Sequence, residues 1–301
     1  MLHNDRALFE QLVLLTSDKM GIEPGIVEKD YFVTLFLKTM SELQPDIIFK
    51  GGTSLSKCHK IIKRFSEDID LSLDCEAKPT EGQRKKLKEN VISTIGRLGL
   101  SLKNPEEIRS RRDFNRYVVD FSSVFTANSI KRHLIVETAV RIRSYPSVIM
   151  TASSYIHDFL ADSNFSDMIE CWELKPFELK VQSAERTFVD KVFAIGDYYL
   201  DGRIREHSRH IYDLYKLLKV VTLDDSLREL AKAVKSERQN NKTCLSAQEY
   251  VQMNKLLDEI ILKDAYKTDY EDVTESLLFE QVDYSKAIEA LKTIVNSNIF
   301  E

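Results

Sequence analysis

The segment FKGGTSLSKCHKIIKRFSEDIDLSL, residues 49–73, decides the fold of the N-terminal half of the chain. The apolar run DIIF at 46–49 ends in a Gly-Gly pair, which predicts a buried strand entering a tight turn. Residues 53–63 predict a short helix, because Thr53 or Ser54 can supply its N-cap. Residues 68–73 alternate strictly between polar and apolar, which predicts a half-buried strand. The segment therefore predicts a strand–turn–helix–strand unit.

The sequence around this unit predicts an α+β fold. The chain has only 9 glycines and 6 prolines, which favours helices over strands. We expect a small mixed β-sheet core in the N-terminal half and a helical C-terminal lobe, divided as residues 1–175 and 176–301. The predicted helices are 5–20, 25–41, 80–98, 184–200, 208–219, 225–237, 246–263 and 284–297, and the further predicted strands are 116–124, 132–140 and 177–182.

The composition is typical of a globular protein that can bury a core. Of its 301 residues, 43% are hydrophobic and 30% are charged. The four cysteines form no CxxC pair, so we expect reduced thiols and neither a disulfide framework nor a zinc site. The N-terminus carries acidic residues and no long apolar run, so neither a signal peptide nor a membrane span is expected. These features favour a cytoplasmic protein.

The charge distribution is uneven along the chain. The net charge of −5 argues against a protein that coats nucleic acid indiscriminately. Residues 97–143 contain ten basic residues (Lys or Arg) and five acidic residues (Asp or Glu). Residues 221–301 contain ten basic and sixteen acidic residues. A basic middle in an acidic chain can hold a polyanion in one groove, although solvated faces would give the same pattern.

Two aspartates and a glutamate have the pattern of metal ligands. Asp68 and Asp70 are two residues apart on a predicted strand, so their side chains leave the same face. Mg²⁺ prefers carboxylates combined with phosphate oxygens and water. Glu137 interrupts the apolar run HLIVETAV, and a lone acid there is costly unless it is paired or binds a metal. The alternative is that an Asp-x-Asp pair on a surface strand is merely solvated.

The Gly51-Gly52-Thr53-Ser54 turn has the pattern of a nucleotide-binding loop. Glycines let the backbone approach a phosphate closely, and the following helix offers unpaired N–H groups to an anion. The two hydroxyls are further donors. A Gly-Gly pair alone is more often only a turn, and this one is not a Walker A loop. Combined with Asp68 and Asp70, it suits in-line phosphoryl or nucleotidyl transfer with two metal ions.

These motifs resemble those of the AbiEii/MenT-type nucleotidyltransferase toxins, a branch of the DNA polymerase beta-like nucleotidyltransferase superfamily. The resemblance rests on FKGGTSLSK and RFSEDIDL, and it extends upstream to VEKDYFVTLFL. Downstream, AERTFVDKVFAIGDYY and RHIYDLYKLL are similar to the later motifs of the family, which carry a lysine and an aspartate. The resemblance covers about residues 20–220, so it implies a nucleotidyltransferase core in the first half.

The resemblance implies an enzyme that transfers a nucleotide from a nucleoside triphosphate (NTP) with loss of pyrophosphate. It implies Mg²⁺ as the cofactor, an RNA acceptor such as the tRNA 3′ end, and a separate antitoxin protein. It assigns catalysis to Asp68, Asp70, Lys191 and Asp213, and nucleotide binding to Gly51–Ser54 and Lys191. On the residues alone, Lys191 could face solvent, and Asp213 could form a structural salt bridge with Arg205 or Arg209.

A set of basic residues is a candidate RNA-binding surface. Lys57, Lys60 and Arg64 would share one face if the helix predicted at 53–63 formed in full. Such a face beside the metal site would guide an RNA 3′ end, although a solvated helix face is the simpler interpretation. The candidates are Lys57, Lys60, Lys63 and Arg64, the arginines Arg109, Arg111, Arg112 and Arg116, and Arg205 and Arg209 near Asp213.

Two other functions stay open at the level of sequence. One is a nucleotidyltransferase that modifies a small molecule or a protein side chain. The other is a catalytically silent nucleotide-binding or partner-binding protein, which the presence of both Asp68 and Asp70 disfavours. The sequence does not determine the preferred NTP, the acceptor, the antitoxin or the oligomeric state.

Overall fold

The computed structural model describes residues 1–66, 68–75, 77–125 and 133–301. It confirms the α+β class, with a mixed sheet in the N-terminal and middle regions and helices in the C-terminal part. The chain forms two compact units. The first comprises Met1–Cys58 and Ser66–Gln182, and the second comprises His59–Phe65 and Ser183–Glu301. The residues that join the Gly-Gly turn to the Asp-x-Asp strand thus belong to the second unit.

A mixed sheet organises the first unit. Among the described residues its strands are β1 Ile47–Lys50, β2 Asp68–Leu73, β3 Ser101–Leu102, β4 Phe114–Asp120, β5 His133–Ala139, β6 Ser147–Ala152 and β7 Phe177–Gln182. Their order in the sheet is β3-β4-β5-β2-β1-β7-β6. β2 is antiparallel to β1 and parallel to β5, and β5 is antiparallel to β4. The Gly-Gly strand, the Asp-x-Asp strand and the Glu137 strand are therefore direct neighbours.

The helices of the first unit pack on the apolar side of this sheet. They are α1 Arg6–Met20, α2 Pro24–Leu43, α3 Gly51–Lys57, α4 Glu81–Arg97, α5 Tyr155–Asp162 and α6 Ser166–Cys171. One hydrophobic cluster joins buried side chains of α1, α2 and α4 to those of the central strands. Ile69 and Leu71 point into this core, so the alternate residues Asp68 and Asp70 leave the opposite face.

The second unit is helical in its described residues. Its helices are α7 Ala184–Leu200, α8 Arg209–Leu217, α9 Asp225–Gln239, α10 Met253–Leu262, α11 Lys267–Asp269, α12 Tyr284–Ala287 and α13 Glu289–Ser297. Ser183 caps the start of α7 by accepting a hydrogen bond from the Arg186 N–H. The segment 59–65 runs antiparallel to residues near Leu278, to which Arg64 forms an isolated bridge. None of the helices in the described part of the chain has the length and apolar character needed to cross a membrane.

Three predicted helices and one predicted strand differ from the structure, and not every strand was predicted. The helix predicted at 246–263 begins only at Met253, and the strand predicted at 116–124 is observed as β4, which ends at Asp120. The helix predicted at 53–63 ends at Lys57, and Lys60 then takes a positive φ of 56°, which an α-helix does not tolerate. The strand β6 was not predicted, because SVIMTA lacks polar–apolar alternation. The helix predicted at 284–297 is divided into α12 and α13. The predicted strand 132–140 is observed as β5, and Arg132 lies outside the described residues.

Candidate active site

A row of four charged residues crosses four neighbouring strands at one level of the sheet. Lys50 on β1 pairs in register with Asp70 on β2, Asp70 pairs with Glu137 on β5, and Glu137 pairs with Arg116 on β4. Side chains directly opposite each other leave the same face of a sheet. The order of the charged row is therefore cation, carboxylate, carboxylate, cation, with Asp68 on the same face two residues from Asp70.

The Gly51 backbone lies directly against the Asp70 carboxylate. A β-carbon built on Gly51 would be 1.9 Å from Asp70 Oδ2, far inside any van der Waals contact. Gly51 also has a φ of +77°, a conformation that side chains of other residues disfavour. Two independent reasons therefore require glycine here. The sequence predicts a turn at this motif. In the structure, the Gly51 backbone of this turn also packs closely on Asp70, a candidate metal ligand.

The pKa of the Glu137 carboxylate is affected by the charges of the two aspartates. Burial raises its pKa to about 7, and the charges of Asp70 and Asp68 raise the pKa in the same direction. Arg116 opposes this shift, since its Nε lies 3.3 Å from Glu137 Oε1. The three predicted ligands are thus close enough to repel one another. Such a cluster is stabilised by a cation.

Both hydroxyls of the Gly-Gly-Thr-Ser segment make hydrogen bonds inside the protein. Ser54 is fully buried, and its Oγ donates to the Gly51 carbonyl oxygen at 2.8 Å. The Thr53 hydroxyl, also buried, lies 2.9 Å from the Ser66 hydroxyl. These contacts hold the backbone of the turn in place. The backbone of Gly51 and Gly52, more than the two hydroxyls, is placed to approach a phosphate.

The carboxylates on this face are the oxygen donors that Mg²⁺ prefers. In the described residues, no group of three or more His, Cys, Asp or Glu side chains is arranged so that it could hold a metal ion. Mg²⁺ is, however, commonly bound by one or two carboxylates together with substrate phosphates and water. Asp68 and Asp70 have the chemistry to hold a magnesium ion that arrives with a nucleotide, and Glu137 is a third carboxylate beside them.

Lys191 and Asp213 meet in the second unit. Lys191 Nζ donates to Asp213 Oδ2 at 2.6 Å, and Arg64 holds the same carboxylate through its Nε and Nη2, each at 2.7 Å. Arg64 and Asp213 are almost completely buried. Burial would raise the pKa of Asp213, but the two cations outweigh it and hold that pKa far below its usual range. Burial also lowers the pKa of Lys191, which Asp213 only partly offsets.

The partner of Asp213 was not predicted from the sequence. The sequence suggested Arg205 or Arg209 as its ion-pair partner, whereas the structure gives Arg64 and Lys191. Arg64 lies 149 positions away in sequence, so no local spacing indicates the contact. Its role follows only from the passage of residues 59–65 through the second unit.

The predicted basic face of Lys57, Lys60 and Arg64 does not form. Helix α3 ends at Lys57, and the Lys57 ammonium is buried and donates to Asp30, Thr34 and the Ser153 carbonyl. Arg64 is buried against Asp213. Of the other candidates, Lys60, Arg112 and Arg205 are exposed and Arg209 is partly exposed.

Residues 35–296 match the family described as nucleotidyl transferase AbiEii toxin, type IV toxin–antitoxin system. This chain belongs to the AbiEii nucleotidyl transferase toxin family. It is similar to the crystal structure of JHP933 from Helicobacter pylori, with 15% sequence identity, a TM-score of 0.46 and coverage of 91% of each chain. No curated protein matches the chain in sequence.

Membership in the AbiEii family confirms the resemblance carried by the two sequence motifs. It makes the chain a nucleotidyltransferase toxin of a type IV toxin–antitoxin system, with an NTP substrate and an antitoxin partner. Nucleotidyltransferases of this kind typically use a divalent metal.

Proposed function

We propose that this AbiEii toxin uses Mg²⁺ to transfer a nucleotide from an NTP to the 3′ end of tRNA. In this reaction the 3′-hydroxyl oxygen bonds to the α-phosphorus, and the bond from that phosphorus to the pyrophosphate oxygen breaks. The hydroxyl proton passes to solvent. Tight positioning and charge stabilisation supply most of the catalysis in such phosphoryl transfers.

The observation that carries the proposal is the packing of Gly51 against Asp70 within the charged row. It brings a backbone that can approach a phosphate next to two carboxylates that can hold a metal. When bound, Mg²⁺ would neutralise the developing charge on the phosphate oxygens. Asp68 and Asp70 would hold the ion, and Glu137 would be the third carboxylate of the site.

Lys191 and Asp213 have different roles in this proposal. Lys191 supplies a positive charge for the triphosphate, as the family resemblance implies. Asp213 is already saturated by Arg64 and Lys191, so it acts by fixing the orientation of the Lys191 ammonium. It is therefore a positioning residue.

A toxin that blocks the tRNA 3′ end would stop aminoacylation and growth. The antitoxin partner is a separate protein in this proposal. The exposed side chains of Lys60, Arg112 and Arg205 are candidates for contacts with the tRNA backbone.

The test is transfer of label to total tRNA. We would incubate the purified protein with Mg²⁺, each α-labelled NTP in turn and total tRNA, beside the Asp68→Ala/Asp70→Ala variant. Labelled tRNA that requires both aspartates is the expected result, and it also gives the base preference. Label on protein or on a small molecule, with none on RNA, would reject the tRNA acceptor. No transfer to any of these acceptors would reject catalysis by this site.

A further inference from the structure

One end of the charged row carries an arginine that is half-exposed. Arg116 lies beside Glu137 at the β4 end of the row, and its side chain is 51% exposed. Besides its ion pair with Glu137, the Arg116 side chain is therefore accessible to a ligand next to the reacting centre.

The order of the strands in the sheet determines on which side of the site Arg116 lies. Gly51 follows β1, on one side of Asp70, whereas Arg116 is on β4, beyond Glu137 on the other side. In nucleotidyl transfer the attacking and leaving oxygens are roughly in line across the phosphorus. If the triphosphate lies at Gly51, the acceptor enters from the opposite side. Arg116 is on that side.

A half-exposed aromatic ring lies on the same face of the same strand. Phe114 is two residues from Arg116 on β4 and pairs in register with Ala139. Its side chain is 49% exposed. Unpaired RNA bases stack on exposed aromatic rings, and this stacking tolerates different bases. An arginine for phosphate and a phenylalanine for a base are together the elements of a single-strand RNA site.

Cations continue beyond Phe114. The Asp113 carboxylate is shared by Lys78, Arg84 and Arg141, at 3.3–3.4 Å from each. Three cations around one carboxylate leave an excess of positive charge at this edge of β4. Lys78 and Arg141 are more than half exposed. Arg84 belongs to α4 and is mostly buried, so the accessible charge at the end of β4 comes from Lys78 and Arg141. A polyanion lying along β4 would meet Arg116 and Phe114 and, beyond the end of the strand, these two cations.

We infer that Arg116 and Phe114, with the exposed cations Lys78 and Arg141 at the end of β4, form the binding track for the single-stranded 3′ end of the acceptor RNA. We call this set the β4 track. Arg116 contacts the phosphate nearest the reacting hydroxyl, and Phe114 stacks on the neighbouring base. The inference rests on the proposed RNA acceptor, and it identifies which part of the acceptor the protein binds.

Steady-state kinetics separate the acceptor side from the NTP side. We would measure KM for the labelled NTP and for tRNA in wild type, Arg116→Gln and Phe114→Ala. Each substitution is expected to raise KM for RNA about tenfold, because each removes one charge-assisted contact or one stacked base, and to leave KM for NTP within about twofold. Arg116→Lys and Phe114→Trp should restore part of the affinity.

Two matched control variants test whether the loss of any surface charge or any exposed aromatic ring would raise KM for RNA. Arg228→Gln removes a surface cation from α9, and Phe165→Ala removes a ring of 50% exposure from the α5–α6 connection. Both should leave KM for RNA unchanged. Thermal unfolding should show that all variants fold, since Arg116 and Phe114 lie on the surface.

Binding without NTP gives a second readout. Fluorescence anisotropy with a labelled RNA hairpin that ends in a short single-stranded 3′ tail should show weaker binding by Arg116→Gln. The salt slope of that binding should fall by about 0.7, the value for one phosphate contact on a single strand.

The outcomes distinguish this inference from the proposed function. Labelled tRNA with unchanged KM for RNA in both variants would overturn the β4 track and leave the tRNA acceptor standing. A rise in KM for NTP alone would place Arg116 on the triphosphate side and also overturn it. No labelled RNA from the wild type would reject the RNA acceptor, and the β4 track with it.

Discussion

At the scale of single residues, the closest packing at the site is that of Gly51 on Asp70. The sequence indicates a turn at this position, but not which atom the glycine touches. The structure shows that a methyl group there would occupy the position of an Asp70 carboxylate oxygen. The glycine therefore determines where the carboxylate lies, and with it the position of any metal that the carboxylate binds.

Gly51→Ala should abolish most of the transferase activity. The added β-carbon must displace Asp70, and a displacement of about 1 Å at a reacting centre can cost about a hundredfold in rate. Gly99→Ala is a matched control, because Gly99 has a similar positive φ of +66° but open space around it. Both variants bear backbone strain, and Gly51→Ala bears the clash with Asp70 in addition, while Gly99→Ala keeps its activity. Equal activity in the two variants would contradict the role assigned to Gly51.

Asp213→Asn should destabilise the protein strongly. The change leaves Arg64 and Lys191 buried without their shared carboxylate, which typically costs about 3–5 kcal/mol of unfolding free energy. Asp201→Asn removes a surface carboxylate paired with Arg203 and should cost less than about 1 kcal/mol. Urea denaturation of both variants measures the difference. A loss for Asp213→Asn as small as that for Asp201→Asn would show that the buried pairs are not needed for folding.

At the scale of elements, helix α3 is anchored at its C-terminal end by a buried ion pair. Lys57 Nζ lies 2.5 Å from Asp30 Oδ1 on α2, and Asp30 also accepts a hydrogen bond from the Tyr155 N–H. The two ends of the seven-residue helix are thus fixed by different contacts, Gly51 to Asp70 and Lys57 to Asp30. We expect Lys57 to hold the Gly-Gly turn in position and not to bind RNA.

A double-mutant cycle tests this anchor. Lys57→Met and Asp30→Asn should each destabilise the protein, and their combination should cost less than the sum of the two. The coupling energy is expected to be about 1–3 kcal/mol, the range for contacting residues in one network. Chemical denaturation of the four proteins gives its value. A coupling near zero would mean that the pair does not fix α3.

The sequence predicted the elements that have a local periodic pattern, and it did not predict contacts between residues far apart in the chain. The alternation in DIDLSL predicted β2 with its bounds, and the spacing of AERTFVDKVFAIGDYYL predicted α7. The pairing of Asp70 with Glu137 follows from strand order, and the ion pair of Asp213 with Arg64 depends on the inclusion of residues 59–65 in the second unit. Neither leaves a periodic pattern, so Glu137 was identified only as a costly acid and Arg64 was misplaced on a helix face.

At the scale of the whole molecule, acidification should destabilise the folded chain through two histidines near Lys191. The His207 ring stacks on Tyr198, with 3.4 Å between ring centroids. Burial, reinforced by Arg209 and Arg203, lowers the pKa of His207 to about 4. Burial and the charge of Lys191 hold the pKa of His210 well below its usual value.

The sign of the pH effect follows from these lowered pKa values. The unfolded chain binds protons on both imidazoles near pH 6.5, whereas the folded chain binds them only at lower pH. Stability is therefore fully present above about pH 6.5 and falls as the pH drops towards 4, by at most about 1.4 kcal/mol per pH unit for each imidazole. Solvent screening makes the share of the partly exposed His207 smaller than this limit.

His207→Gln should reduce this loss. Urea denaturation at pH 8 and pH 5 gives the change in unfolding free energy for wild type and variant. Wild type is expected to lose more on acidification than His207→Gln, since the variant has one fewer group that binds a proton on unfolding. An equal loss in the two proteins would contradict the assignment of His207.

The central claim is that Asp70, held against Gly51, supports metal-dependent nucleotidyl transfer. The most direct test is pyrophosphate release from NTP in the presence of tRNA, titrated with Mg²⁺, by wild type, Asp70→Asn and Asp74→Asn. Asp74 follows the same strand but pairs with Lys180, so its substitution is a matched control. We predict Mg²⁺-dependent release by wild type and Asp74→Asn and a loss of at least about a hundredfold in Asp70→Asn. Release by Asp70→Asn at the rate of the wild type would contradict the account.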